Sequence, residues 1–130
     1  MVVDSSALVA IWQGEPGSQS LRRAAAAAAC AIASATLVEV LMVALGRRGD
    51  AGRDEMLALI DVLEIQIHAV DRDLAMGAAE GFRRYGKGRH RASLNFGDCF
   101  AYALARHLRQ PLLFKGDDFG HTDALPALTG

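Results

Sequence analysis

Short apolar segments alternate with longer amphipathic segments along this chain of 130 residues. Residues 1–3 are apolar and largely β-branched and they stop at Asp4, as a buried parallel strand does. Further short strands are predicted at residues 30–34, 64–70 and 111–114. Helical length and periodicity predict helices at residues 5–13, 16–29, 35–48, 50–64, 71–86 and 95–110. Ser5 or Ser6 is the predicted cap of the first helix, and Asn95 that of the last.

Strands that alternate with helices predict an α/β fold, with a mainly parallel central sheet of four or five strands between two helical layers. A chain of this length with 52% hydrophobic residues can bury a core as one domain, so we expect residues 1–130 to form a single domain. The tail after residue 115 is rich in turn-forming residues.

One apolar stretch, residues 24–46, is long enough to span a bilayer. It contains Glu39, whose carboxylate is strongly disfavoured inside a membrane, so a helix end, a buried strand and a new helix explain it better. The first residues include an acid and lack the basic start of a signal peptide. Cys30 and Cys99 form no CxxC pair, which fits a reducing compartment and argues against zinc. These features predict a cytoplasmic protein without a membrane anchor.

Acidic residues follow the ends of predicted strands or interrupt apolar helices. Asp4 follows the first strand, and Asp117 and Asp118 follow the fourth, so they can converge at the edge of a parallel sheet where functional groups gather. Glu39 and Asp98 lie within apolar helical runs, where a charge is costly unless it is paired or binds a metal. No Lys or Arg lies three or four residues from either of them.

A cation from solution resolves the conflict among these carboxylates. Without one, a cluster of acids repels and some members take up protons. Mg²⁺ or Mn²⁺ suits hard oxygen ligands, and water can complete its coordination. We therefore expect Asp4 to lie at the strand end in order to hold a divalent metal ion, Mg²⁺ or, as a substitute, Mn²⁺.

Four segments in order, DSSALVAI, SATLVEV, LNFGDCFAYALA and LLFKGDDFGHTD, resemble the PIN-domain ribonucleases, and most closely the VapC toxins of bacterial toxin–antitoxin pairs. The resemblance covers essentially the whole chain and implies a PIN-like three-layer fold. It also implies a VapB-type antitoxin that wraps the toxin and inserts an arginine near the acids, and a two-fold homodimer. The apolar segments 8–12 and 41–45 are candidates for that interface.

The same resemblance assigns roles to individual positions. Asp4, Glu39 and Asp98 match the family's metal-binding acids, and Asp117 matches the acid after the last main strand, although its neighbour Asp118 is an equal candidate. The hydroxyls of Ser5 and Thr36 match positions that hydrogen-bond around the acids. These assignments imply hydrolysis of RNA phosphodiester bonds by water that one or two divalent ions activate.

A substrate surface is expected at the basic stretch FRRYGKGRHR. Its cations are suited to bind phosphates just ahead of Asp98, with Tyr85 and His90 available to stack a base. They are Arg83, Arg84, Lys87, Arg89 and Arg91. The competing interpretation is a solvated loop, which is the more common role of such a run.

Alternative interpretations exist for the acids too. Asp4 and Asp98 are both suited to cap helices, and Glu39 to an exposed helix face. Among functions, the alternatives are a metal-dependent, structure-specific DNA nuclease and a non-catalytic module whose acidic cluster binds a basic partner. Neither a GxxxxGK[ST] nor a GxSxG string is present, so a P-loop enzyme and an α/β-type serine hydrolase are excluded.

Overall fold

A four-stranded, wholly parallel sheet forms the centre of the fold, in the order β3-β2-β1-β4. The structure, a computed structural model, describes residues 1–128. The strands are β1 (Val2–Val3), β2 (Ala31–Ala33), β3 (Gln66–His68) and β4 (Leu112–Leu113). Each lies within its predicted segment but is shorter than it. The predicted α/β class and strand order along the chain are therefore confirmed.

Five α-helical elements within the described residues 1–128 connect and flank these strands. They are α1 (Ser5–Gln13), α2 (Ser18–Ala26), α3 (Ser34–Val62), α4 (Arg72–Tyr85) and α5 (Phe96–Leu108), and a 3₁₀ turn follows at Asp118–His121. The prediction of two helices at 35–48 and 50–64 is confirmed, because α3 consists of two helical halves that meet at a kink, where Arg48 and Gly49 are not helical. Gly49 supplies a φ of +61°, which glycine adopts readily, and the chain turns there between the two halves of α3.

Helical layers cover both faces of the sheet. Adjacent residues of a strand point to opposite faces. Val3 and Ile32 accordingly contribute to a core shared with α1, α2 and α3, whereas Val2 and Leu112 contribute to a second core shared with α4 and α5. This arrangement confirms the three predicted layers.

The apolar stretch at residues 24–46 divides as predicted into the end of α2, strand β2 and the start of α3. Within residues 1–128, none of the helices combines the length and the apolar character that crossing a membrane requires. Of the two segments predicted as possible interfaces, 8–12 is mostly core. Segment 41–45 leaves Met42 and Leu45 exposed.

Candidate active site

Asp4 lies at the carboxyl end of β1 and caps α1. Its Oδ2 accepts a hydrogen bond from the Ser6 backbone N–H at 3.0 Å, and its own N–H donates to the Leu113 carbonyl at 2.9 Å. The cap of α1 is thus Asp4, and the prediction of Ser5 or Ser6 was wrong because Ser5 is already the first helical residue and Asp4 accepts the capping bond. The side chain is buried, and its Oδ1 has no hydrogen-bond partner within the described residues.

Asp98 occupies a similar position in the first turn of α5. Asn95 is the cap, as predicted: its Oδ1 accepts the Asp98 N–H at 2.9 Å, and Asp98 Oδ2 accepts the Asn95 N–H at 3.1 Å. This reciprocal capping box satisfies two backbone donors and holds the carboxylate rigidly. Asp98 is buried despite its charge.

Glu39 reaches the same region from the second turn of α3. Its carboxylate lies directly against the backbone of Gly97 in α5. A Cβ atom at residue 97 would lie 2.6 Å from Cδ and 2.7 Å from Oε1 of Glu39. Oε1 is buried and, within the part of the chain that the structure describes, has no hydrogen-bond partner.

The charges of these three carboxylates act on one another. Burial raises the pKa of Asp4 to about 6, against the hydrogen bonds from Ser6, and the negative charge of Glu39 adds to the rise. Burial likewise raises the pKa of Asp98 to about 6, with a contribution from Asp4. Burial raises the pKa of Glu39, and a hydrogen bond from the Ser5 hydroxyl opposes this rise. The negative charge of Asp98 adds to it. Asp4, Glu39 and Asp98 therefore lie close enough for their charges to interact.

Of the two hydroxyl residues singled out in the sequence, Ser5 lies close enough to Glu39 for its hydroxyl to oppose the rise in the pKa of that carboxyl. Thr36 precedes Glu39 by three residues on α3 and is buried, and its Oγ1 has no hydrogen-bond partner among residues 1–128. Ser6 was missed by the sequence reasoning as a contact residue: its Oγ accepts the Lys115 N–H at 3.0 Å. This bond joins the loop after β4 to the start of α1. No local sequence pattern predicts it, because the two residues are 109 positions apart.

The donor set fits a hard divalent cation. Across residues 1–128, no three His, Cys, Asp or Glu side chains form a preassembled ligand group. Two carboxylate oxygens, Asp4 Oδ1 and Glu39 Oε1, are nevertheless buried without a partner in that same range. Buried unpaired carboxylate oxygens are costly, and oxygen donors of this kind are the ligands that Mg²⁺ and Mn²⁺ prefer.

The two acids after β4 differ in their relation to this site. Both are exposed, but it is Asp118 whose negative charge contributes to the raised pKa of Asp98. Asp117 lines an open cleft of about 690 Å³ together with Lys115 and His121. The charge of Asp118 therefore acts on Asp98, and the choice between Asp117 and Asp118 as the fourth acid stays a prediction.

The basic stretch is held next to the start of α5. Backbone bonds between Tyr85 and Leu94 and between Lys87 and Leu94, 2.9 Å each, close the loop immediately before Asn95. Tyr85 packs edge-on against His90, so both rings are engaged within the loop.

The five cations of this stretch are not equivalent. Arg83 pairs with Glu80 at 2.6 Å, and Arg84 approaches Asp123 at 3.4 Å. Lys87, Arg89 and Arg91 are exposed and, among the described residues, have no acidic partner within ion-pair distance. The loop therefore presents three cations rather than five.

Comparison with known proteins identifies the protein family, and the result agrees with the fold and the acidic residues described above. The family model of the PIN domain matches residues 1–125. Ribonuclease VapC42 of Mycobacterium tuberculosis is 46% identical over 134 residues, covering 99% of this chain and 100% of the relative. The chain belongs to the PIN domain family and, within it, to the VapC ribonucleases. Enzymes of this family generally depend on a divalent metal ion.

Two solved structures share the fold. The Sarcin-Ricin loop cleaving toxin VapC20 of Mycobacterium tuberculosis has a TM-score of 0.74 at 18% identity, and the match covers 95% of each chain. A chain of a toxin–antitoxin complex from Klebsiella pneumoniae has a TM-score of 0.69 at 19% identity, covering 95% of this chain and 93% of the other. At these identities the likeness concerns the fold alone.

Proposed function

We propose that this VapC-family ribonuclease is a Mg²⁺-dependent endoribonuclease, the toxin of a toxin–antitoxin pair, with its active site at Asp4, Glu39 and Asp98. One observation carries the proposal. Three carboxylates from separate segments lie close enough for their charges to interact, and two of them keep a buried oxygen without a partner in residues 1–128. Relatives named as ribonucleases support the activity.

The metal ligands in this proposal are Asp4, Glu39 and Asp98, with Mn²⁺ as a possible substitute for Mg²⁺. When bound, the divalent ion supplies Lewis-acid activation of water and stabilises negative charge on the phosphate. Asp4 and Asp98 contribute rigidity, because capping bonds fix each carboxylate on a helix end. Thr36 and Ser5 supply hydroxyls that orient the acids. No side chain needs to act as a covalent nucleophile.

Asp118 is the fourth acid in this scheme. Its charge acts on Asp98 although its side chain is exposed. An exposed carboxylate at the rim is suited to orient water or a second ion rather than to bind the first ion tightly.

RNA is proposed to approach over the loop before α5. Lys87, Arg89 and Arg91 offer phosphate contacts next to the start of α5. Arg83 and Arg84 are paired with acids and are therefore less available to bind phosphate. Single-stranded RNA suits this surface, because the strand can bend from the loop into the acidic site.

A VapB-type antitoxin is the proposed protein partner. The structural similarity to a chain of a toxin–antitoxin complex supports this choice. The acidic site itself attracts a basic segment, because an arginine of the partner satisfies the same carboxylates that a metal ion does. Antitoxin binding and catalysis then exclude one another at one site.

A second copy of this chain is the proposed occupant of the exposed apolar side of α3. Val38, Met42 and Leu45 follow a spacing of four and three residues and are 56%, 66% and 40% exposed. Such a stripe on one helix is suited to pack against its own copy across a two-fold axis. The stripe shares α3 with Glu39, and its first residue, Val38, is adjacent to Glu39 in sequence.

The decisive experiment is cleavage of labelled RNA by the purified protein with Mg²⁺, with Mn²⁺ and with EDTA. Cleavage that requires the metal and disappears in Asp4→Asn supports the nuclease. Partner binding without metal-dependent cleavage of RNA favours the acidic binding module, and cleavage of branched DNA but not RNA favours the DNA nuclease.

A further inference from the structure

Gly97 lies between two of the proposed metal ligands, beside Asp98 in sequence and beneath Glu39 in space. We propose that Gly97 is a positioning residue: its missing side chain leaves the space in which the Glu39 carboxylate reaches the metal site. The inference rests on the proposed function and adds a residue to it. It concerns metal binding before any catalytic step.

The contact is unusually close. A Cβ atom at residue 97 would overlap Oε2 of Glu39 and lie 2.6 Å from Cδ and 2.7 Å from Oε1. Cβ atoms essentially never come within 3.0 Å of a heavy atom outside their own residue and its chain neighbours. The whole carboxylate, rather than one atom of it, thus occupies the volume that any other residue at 97 would fill.

Backbone conformation does not explain the glycine. Gly97 is helical and has no positive φ, unlike Gly14 and Gly49. Glycine within a helix is unfavourable compared with alanine, because it loses more conformational freedom on folding. The approach of Glu39 is therefore the feature at this position that requires glycine.

If residue 97 had a side chain, the Glu39 side chain is the group that would move. The overlapping atoms belong to the end of a flexible side chain, whereas the backbone of α5 is held by the capping box of Asn95 and Asp98. An added methyl group therefore displaces the Glu39 carboxylate and leaves Asp98 in place. Gly97→Ala should fold, and it should lose metal affinity through Glu39.

The test measures Mn²⁺ affinity by isothermal titration calorimetry, without RNA. We expect Gly97→Ala to bind Mn²⁺ roughly 10–100-fold more weakly, the usual size of an effect on ligand positioning. Gly46→Ala is the matched control, because Gly46 is also helical and its Cβ would meet nothing within 4 Å. Its Mn²⁺ affinity should equal that of the wild type.

A double-mutant cycle with Glu39→Ala tests the route of the effect. In the Glu39→Ala background, Gly97→Ala should cause no further loss of affinity, because the clashing carboxylate is gone. Unchanged affinity in Gly97→Ala, or an equal loss in both backgrounds, overturns the inference. If Gly97→Ala alone does not fold, a folded double variant supports the inference, and an unfolded one overturns it.

Asp4→Asn separates this inference from the proposed function. Loss of Mn²⁺ binding in Asp4→Asn together with normal binding in Gly97→Ala overturns only the role of Gly97. Normal Mn²⁺ binding in Asp4→Asn overturns the metal site, and the role of Gly97 with it.

Discussion

Asp4 and Asp98 each hold the first turn of a helix with one carboxylate oxygen, and the negative charge of Asp4 raises the pKa of Asp98. Asp4 Oδ2 accepts from Ser6, and Asp98 Oδ2 accepts from Asn95. The helix-capping and the catalytic interpretations of these acids are therefore compatible. A cap fixes the rotamer of the carboxylate, and the remaining oxygen is then presented in a defined direction.

The first prediction separates these two roles. Asp4→Asn keeps a capping side chain, since Asn caps helices about as well as Asp, but it removes the charge. RNA cleavage with Mg²⁺ should fall at least about 100-fold, because even outer-shell changes cost 10–100-fold at metal sites. Initial rates on labelled RNA measure this.

Asp71→Asn is the matched control for that measurement. Asp71 caps α4 through a 2.9 Å bond from Leu74 but is not among the site acids. The cleavage rate of Asp71→Asn should stay within about twofold of the wild-type rate, because Asn and Asp cap helices about equally well and the variant remains folded. A similar loss in both variants would contradict the prediction, because the effect would then not depend on the charge at the acidic site.

The second prediction concerns pH. Burial raises the pKa of Asp4 and of Asp98 to about 6, against about 3.9 for an unfolded aspartate. Between these pH values the folded protein binds more protons than the unfolded chain, so in EDTA its stability should fall as pH rises from about 4 to about 6. Above pH 6 this contribution should stay constant.

Metal should reverse this trend, because it binds the ionised carboxylates. Addition of Mg²⁺ or Mn²⁺ should raise Tm, and the increase should grow as pH passes through about 6. Thermal melts from pH 5 to 8 with EDTA or metal measure both effects. Asp4→Asn should flatten the EDTA profile, and an unchanged profile in this variant would contradict the assignment.

The third prediction concerns the basic loop. Replacing Arg89 and Arg91 by Gln should weaken RNA binding and reduce the slope of log K against log salt by about 1.4, at roughly 0.7 per phosphate contact. The double variant Arg22→Gln with Arg23→Gln, on α2, is the control of equal charge. Equal slopes in wild type and loop variant would rule the loop out as the RNA surface.

The fourth prediction concerns self-association. Met42→Glu introduces a charge into the exposed stripe of α3, and burial of an unpaired charge in an interface is costly. A protein that is dimeric in light scattering should become monomeric. Val62→Glu, which is 67% exposed in the wild type near the end of the same helix, should remain dimeric. Dissociation of both variants or of neither would contradict this interface.

The fifth prediction concerns stability away from the site. Tyr102 is buried, and its hydroxyl donates to Asp123 at 2.6 Å and accepts from Arg106 at 3.0 Å. Tyr102→Phe should lower the free energy of unfolding by about 1–3 kcal/mol, because the bonds involve charged groups. Urea denaturation measures this change, and the more exposed Tyr85→Phe should cost about 1 kcal/mol or less.

Local patterns predicted much of the fold. The apolar segments located all four strands, and the Asn cap located the start of α5. The break between the two central helices was also located, at Gly49. Other boundaries were less accurate: α2 ends at Ala26, where residue 29 was expected. Helix ends depend on caps and on packing, which periodicity describes poorly.

Several features of the site depended on contacts between distant residues. The pairing of Arg84 with Asp123 and the closer relation of Asp118 than of Asp117 to Asp98 have no local signature. Gly97 carried a weak signal, a glycine inside a helix beside an acid, but its partner Glu39 is far away in sequence.

The sequence by itself determined the order of strands, helices and acids, because hydrophobic periodicity, turn residues and caps act between near neighbours along the chain. It also determined that Glu39 and Asp98 interrupt apolar helices and therefore need a partner. Only the tertiary structure decided which oxygens are left free, which cations are neutralised and which glycine admits Glu39. These depend on distances of a few ångströms between segments that are joined only when the parallel strands pair.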